Sequence, residues 1–177
     1  MLTVVTGIPY LGIAEYSYGI SDKFTAGVLA GRTPTDAGYG LRIRGVVFQG
    51  DEDFRVHFRM PVIYYPTLKG KRGEPWLLAW PVVSAEWKLN SGTRLSVGGG
   101  VIGASCVASL LGKEEEDEEG FMNGLWNTLQ FGVAVPLKSN LAFQAEVAGV
   151  LSGLKLAGKD WIGGPPVIVT LGLSHSF

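Results

Sequence analysis

Five basic side chains recur at every second position along two successive segments of the chain. Arg42 and Arg44 lie in LRIRGVV, and Arg55, His57 and Arg59 lie in FRVHFRM. Side chains at alternate positions of a β-strand point to the same face of a sheet. We therefore expect these five residues to form one basic ladder on two neighbouring strands. Such a ladder could select anions or bind an acidic solute.

Charged residues on other predicted strands show the same alternation and could neutralise the ladder. Because an unpaired buried charge is costly, paired charges could instead fill a narrow interior and leave no path for a solute. Both hypotheses stay open here, and Glu86 is one candidate partner for Arg59. The predicted charge network comprises Glu15, Arg42, Arg44, Arg55, His57, Arg59, Glu86, Arg94 and Glu146.

The segments that carry these charges alternate apolar and polar residues with a period of two, which is typical of strands. They form four predicted hairpins. The tight turns fall at residues 21–23, 50–53, 90–92 and 138–140. Longer connections rich in glycine, proline and charge fall at residues 32–38, 66–75, 103–124 and 152–166. Since short turns and long loops alternate strictly, an up-and-down meander would place all tight turns at one end.

Composition narrows the class of protein. The 177 residues fit one domain, and 18% of them are charged, below the roughly 25% of soluble domains. The formal net charge of −1 gives no reason to expect nucleic acid as a partner. The single cysteine, Cys106, excludes an internal disulfide. The stretch from Leu95 to Gly112 is the best candidate for a membrane helix, but its five glycines disfavour one.

Alternating strands can close into a barrel in two ways. In a soluble barrel the apolar face points inward, and in a membrane barrel it points to lipid. Small residues on the polar face favour the membrane arrangement, because a narrow lumen needs them. These small residues include Gly27, Gly98, Gly100, Gly132 and Gly172.

Aromatic residues form two predicted belts, as expected at the two interfaces of a membrane. The belt near the turns comprises Tyr16, Tyr18, Phe24, Phe54, Trp87, Phe143 and Phe177. The belt near the long loops comprises Tyr10, Tyr64, Tyr65, Trp76, Trp80, Trp126 and Trp161, although Trp80 and Trp126 have the parity of the polar face.

The chain ends in VTLGLSHSF, a strand pattern that continues to the last residue. Val169, Leu171, Leu173 and Phe177 share one face. In this motif and in its hairpin rhythm, the chain resembles the small outer-membrane β-barrel proteins of Gram-negative bacteria, of the OmpA/OmpX size class. His175 departs from that pattern, in which an aromatic or aliphatic residue is usual.

The resemblance implies an all-β fold: an antiparallel up-and-down transmembrane β-barrel of about 8–10 strands, with short periplasmic turns and longer extracellular loops. It implies residence in the bacterial outer membrane as a monomer after removal of a signal peptide. The expected partners are outer-membrane lipid, lipopolysaccharide and the barrel-assembly machinery, which reads the terminal Phe177. The expected role is structural or interactive, or that of a narrow porin-like channel. A small-solute pore with a basic lumen and a soluble ligand carrier are the alternatives.

Catalysis is not expected. The two histidines, His57 and His175, have no predicted nucleophile beside them. We expect no cofactor and no metal, and we interpret the acidic run from Glu114 to Glu119 as a solvated loop.

About nine strands can be counted. Because bacterial barrels have an even number, we expect a first strand that is missing or unpaired, within or before residues 1–9.

Overall fold

The computed structural model describes residues 1–8, 12–32, 36–66, 75–106, 124–154 and 167–176. Within these ranges the chain forms strands joined by turns, and no helix has the length and apolar character needed to span a bilayer. The strands are β1 (Leu2–Ile8), β2 (Gly12–Ser21), β3 (Phe24–Arg32), β4 (Ala37–Gln49), β5 (Phe54–Tyr65), β6 (Trp76–Ala79), β7 (Val82–Lys88), β8 (Arg94–Cys106), β9 (Gly124–Lys138), β10 (Leu141–Leu154) and β11 (Val167–His175).

The strands close into one antiparallel barrel. Apart from β6 and β7, which both pair with β5 and β8, strands adjacent in sequence pair with each other, and β1 pairs with β11 along seven residues, from Leu2 opposite His175 to Ile8 opposite Val169. Closure gives each described strand a hydrogen-bonded neighbour on both sides. The predicted fold class, an all-β antiparallel up-and-down barrel, is confirmed.

Strands β6 and β7 occupy a single position in the barrel. Both lie between β5 and β8, and the register with β5 is the same before and after the interruption, with Ala79 opposite Val62 and Val82 opposite Arg59. The ladder pauses at Trp80 and Pro81, where the proline lacks an N–H donor. Even so, Trp80 N donates to Pro61 O at 3.0 Å. The barrel therefore has ten strand positions.

The expected count of nine strands is wrong, and so is the expectation of an unpaired first strand. Residues 2–8 form β1, which pairs with β2 as well as with β11. Their period-two pattern is short and interrupted by Gly7, so its strand character emerges only from the partners on both sides. An even count also places Met1 at the same end as the tight turns, where its N-terminal amine donates to Ser17 O at 2.7 Å.

The two ends of the barrel differ as the spacing of turns predicts. Tight connections at residues 22–23, 50–53, 89–93 and 139–140 share one end, which we call the turn end. The opposite end, which we call the loop end, is where strands are joined through residues 9–11, 33–36, 66–75, 107–123 and 155–166. Most of these latter residues, including the acidic run from Glu114 to Glu119, lie outside the described ranges.

The barrel is apolar outside and polar inside. Exposed outward side chains include Val28, Leu41 and Phe131, whereas Glu15 and His57 are buried on the inward face. Inward positions such as Ser17, Gln130 and Ser174 are buried too. Most of the described interior towards the turn end is thus built from the polar faces of the strands.

Candidate functional site

A cavity of about 220 Å³ occupies the barrel lumen. Eight of the nine residues predicted for the charge network line it, namely Glu15, Arg42, Arg44, His57, Arg59, Glu86, Arg94 and Glu146. The ninth, Arg55, is not among the residues that line the cavity, and its membership of the network stays a prediction. Arg55 stands opposite Gln49 and Glu86, one step from the β4–β5 turn, where the strand leaves the cavity.

Glu15 and Arg42 form one ion pair across strand β3. Their Oε2 and Nη1 atoms are 2.7 Å apart, and the Glu15 side chain is only 6% exposed. Between them on β3 lies Gly27, which is paired in register with Arg42 on one side and Ser17 on the other. Because glycine presents no side chain to the lumen, the arginine can lie across β3 and reach the carboxylate.

Glu86 is the centre of a second group, which we call the Glu86 cluster and which also contains Arg44, His57 and Arg94. Glu86 Oε2 is 3.5 Å from Arg44 Nη2, and Oε1 is 3.4 Å from His57 Nε2 and 3.2 Å from Arg94 Nη1. Arg44 Nη2 is also 3.2 Å from His57 Nε2. One carboxylate therefore serves two guanidinium groups and one imidazole.

Arg59 binds a different acid from the one considered in the sequence. Its Nη2 atom is 2.5 Å from Glu146 Oε1 and donates to Gln130 Oε1 at the same distance. The guanidinium also lies 5.9 Å from the ring centroid of Trp80, within the range of a cation–π contact. Glu86 is thus not the partner of Arg59, because the chain registers carry Arg59 towards β9 and β10.

Glycines on β8 and β9 make room for the Arg59 side chain, which crosses the lumen to Gln130 and Glu146. A Cβ atom added at Gly98 would lie 2.6 Å from Ser84 Cβ and 2.9 Å from Gln130 Nε2, and one added at Gly132 would lie 2.5 Å from Ser96 Oγ. Side-chain atoms do not approach so closely. The prediction that small residues on the polar face serve a crowded interior is confirmed here.

The lumen carries more positive than negative charge. Four arginine and three glutamate side chains line the cavity, and so does Met1, which carries the N-terminal amine, so positive groups outnumber the carboxylates. The pairs Glu15–Arg42 and Glu146–Arg59 are matched one to one. The side-chain excess therefore falls on the Glu86 cluster.

An apolar cluster lies inside the barrel near the loop end, and sequence reasoning did not place it there. Leu29, Ile63 and Tyr65 are buried together, with Ile13, Trp76 and Leu78 packed against them. Tyr65 and Trp76 were expected in the aromatic belt near the loops. Tyr65 points inward because it shares the parity of His57 and Arg59 on β5, and Trp76 stands opposite Tyr65 in register. Their parity is the signal that reveals this.

Trp80 also points into the lumen, as its parity indicates. Its Nε1 donates to Thr128 Oγ1 at 3.0 Å. Trp80 lies at the β6–β7 interruption, and Thr128 lies on β9. On the outer surface near the loop end, Tyr39 and Tyr64 have ring centroids 5.5 Å apart. The residues Tyr10 and Trp161 of the expected belt lie outside the described ranges, and the side chain of Trp126 is not described.

The terminal strand has the expected faces. Leu171 and Leu173 are exposed on the outside, whereas Gly172 and Ser174 are buried inside. Val169 has the same parity as the two leucines and pairs with Ile8 and Val147. Phe177, the last residue of the predicted assembly signal, lies outside the described residues.

His57 and Ser84 stand opposite each other on β5 and β7, a juxtaposition that sequence reasoning missed. The register of the β5–β7 pairing is what brings them together. Their geometry differs from a Ser–His–acid triad, in which the two ring nitrogens contact different partners. Here Glu86 and Arg44 both contact Nε2, and the buried Nδ1 has no hydrogen-bond partner.

Within the part of the chain that the structure describes, no group of three or more His, Cys, Asp or Glu side chains could hold a metal ion. Comparisons of the chain with protein-family models, with curated proteins and with solved structures find no match.

Proposed function

We propose that the protein is an integral β-barrel of the Gram-negative outer membrane, with a narrow, salt-bridged lumen and a structural or interactive role. The observation that carries this proposal is the apolar outer face of the barrel. Outward side chains that are exposed on successive strands include Val28, Leu41, Val83, Leu95, Leu129, Phe131, Val147 and Leu171. A continuous apolar surface of this kind is rare on soluble monomers and is what lipid requires.

The positions of the outward aromatic residues support the same assignment. At the turn end Phe54 and Trp87 have ring centroids 5.4 Å apart, with Phe48 at 6.3 Å from Phe54. At the loop end Tyr39 and Tyr64 pair on the outer face. Membrane barrels carry such aromatic residues at both interfaces, where an apolar ring with a polar edge is stable.

Closure and strand length are also suited to a bilayer. All backbone groups within hydrocarbon must find partners in the protein, and a closed barrel provides them. Most strands have between 9 residues, as in β11, and 15 residues, as in β9. A tilted strand of about 9–11 residues crosses the hydrocarbon core.

The interior disfavours the soluble-carrier alternative. A soluble carrier of apolar ligands needs apolar side chains around its cavity and charges outside. Here the cavity wall carries seven charged side chains and the outer face carries the leucines, valines and aromatics. Paired charges within a lumen of this size also favour a barrel without steady flow over an open pore.

Heat-modifiable migration tests the membrane barrel. Protein refolded in detergent should migrate differently before and after boiling, and it should sediment as aggregate when the detergent is removed. A monodisperse protein in detergent-free buffer would exclude the proposed membrane location.

Planar-bilayer recording tests the state of the lumen. We expect no steady conductance from inserted protein of verified fold. Steady, anion-selective steps would favour the pore with a basic lumen and would leave the membrane assignment intact.

A further inference from the structure

The Glu86 cluster has a deficit of negative charge within reach of solvent. Glu86 is shared by Arg44, His57 and Arg94 at 3.2–3.5 Å, whereas each other lumen glutamate has its own arginine. An additional anionic group beside the two guanidiniums would balance the charges, and planar carboxylates match guanidinium geometry well.

Arg44 and Arg94 are accessible although they point into the lumen. Their side chains are 40% and 42% exposed. Arg94 is the first residue of β8, directly after a tight turn, and Arg44 pairs with Thr25 close to the β2–β3 turn. A solute that enters the barrel from the turn end therefore meets these two arginines.

Beyond Arg44 and Arg94 the wall of the same cavity carries the Glu15–Arg42 and Arg59–Glu146 pairs and then becomes apolar. Along the inward face of β4, Arg44 and Arg42 are followed by Gly40, which is flanked in register by Leu29 and Ile63. Both of these residues line the cavity, as do Leu78 and others of the apolar cluster. Towards the loop end, the described inward side chains pack into that cluster.

We propose that the lumen is a chamber entered from the turn end, which binds a small organic carboxylate with an apolar body. The carboxylate lies between Arg44 and Arg94, and the body extends towards Leu29 and Ile63. The cavity of about 220 Å³ exceeds the roughly 150 Å³ that accommodates a six-carbon ring. This site concerns only the lumen, so it goes beyond the proposed membrane role.

Inorganic phosphate is disfavoured by the same features. Among its arginine and glutamate side chains the cavity has a single positive charge in excess, and its wall towards the loop end is apolar. A compact dianion would overcompensate the charge and leave the apolar wall in contact with water. A monocarboxylate carries one negative charge, and its apolar chain points towards the apolar wall.

Titration calorimetry on the refolded protein in nonionic detergent tests the chamber, with protein-free micelles as the blank. The probes are hexanoate, acetate, hexylammonium and inorganic phosphate. We expect saturable binding of hexanoate, at least tenfold tighter than that of acetate, because each buried methylene contributes about fourfold. Hexylammonium should not bind. Equal binding of acetate and hexanoate, or tighter binding of phosphate, would overturn the proposal.

Variants locate the binding site. Arg44→Gln and Arg94→Gln should each weaken hexanoate binding about tenfold, the scale of a lost hydrogen bond to a charged group. Arg55→Gln, on an arginine outside the cavity wall, should leave binding within about twofold. If Arg44→Gln fails to fold, Arg44→Lys, which retains the positive charge, replaces it in the binding measurement. Equal losses in Arg55→Gln and Arg44→Gln would refute the assigned position.

Heat-modifiable migration of each sample reports folding separately from binding. A wild-type barrel that folds, requires detergent and takes up no hexanoate would defeat this inference and leave the membrane proposal standing. Conversely, a water-soluble barrel that binds hexanoate through Arg44 and Arg94 would defeat the membrane proposal alone.

Discussion

Arg59 Nη2 lies 2.5 Å from Glu146 Oε1, although the two residues are 87 positions apart in the sequence. Both side chains are largely shielded, with exposures of 22% and 25%. The pair joins β5 to β10 through the lumen, and Gln130 accepts a second hydrogen bond from the same guanidinium nitrogen. This contact spans strands that are not neighbours in the sheet.

Arg59→Gln should destabilise the barrel by about 2 kcal/mol, because it leaves the Glu146 carboxylate without its ionic partner. A second change, Glu146→Gln, should recover part of the loss, with a coupling energy of about 1 kcal/mol or more. Equilibrium unfolding from lipid vesicles measures both. Glu86→Gln is the matched control and should not couple to Arg59→Gln, and coupling of equal size would contradict the assigned partner.

Phe131→Arg tests whether the outer face contacts lipid. Phe131 is 56% exposed and lies between Val97 and Val147 on neighbouring strands. In a bilayer the substitution should cost about 2–4 kcal/mol at mid-depth. Leu137→Arg on the same strand and face, 54% exposed but beside the turn, should cost about 0–1 kcal/mol. If both changes stay within about 0.5 kcal/mol, as at a water-exposed surface, the lipid-facing assignment is wrong.

Gly98→Ala tests the crowding of the lumen. The added methyl would lie 2.7 Å from Val83 O and press on Ser84 and Gln130, so we expect a loss of about 1–3 kcal/mol. Gly99→Ala is the adjacent control on the outer face, where the nearest atom, Thr128 O, is 3.4 Å away. That change should be neutral or stabilise by about 0.5 kcal/mol, since glycine weakens a strand. Equal effects at both positions would argue against a packed interior.

Deletion of Phe177 tests the terminal signal that the resemblance implies. The truncated chain should be synthesised normally but should reach the outer membrane at clearly reduced yield. Ser176→Ala, which retains Phe177, is the control and should assemble normally. Membrane fractionation with heat-modifiable migration measures assembly. Normal yield from the truncated chain would show that Phe177 is not needed as a signal.

Much of the architecture could be predicted from local patterns. Period-two alternation identified the strands from β2 to β11, and turn-forming residues such as Asn90 and Gly92 located the hairpins. These features are local because a strand's two faces and a tight turn depend on a few neighbouring residues. The same alternation placed Glu15, His57 and Glu146 on the inward face, as the structure has them.

The partners of these charges could not be predicted in the same way. Alternation places Arg59 and Glu86 on one face, but the register of three intervening strand positions decides that Arg59 meets Glu146 instead. The strand character of residues 2–8 likewise depended on pairing with β2 and β11.

The sequence by itself thus determined which face of each strand is polar, where the tight turns lie, and that the last strand alternates to its end. Only the tertiary structure decided the ten-strand closure, the exclusion of Arg55 from the cavity wall, and the inward apolar cluster around Ile63. The physical reason is that side-chain parity follows from the local backbone of one strand. Contacts across a lumen depend instead on the registers of all the strands between them, which are set together when the barrel closes.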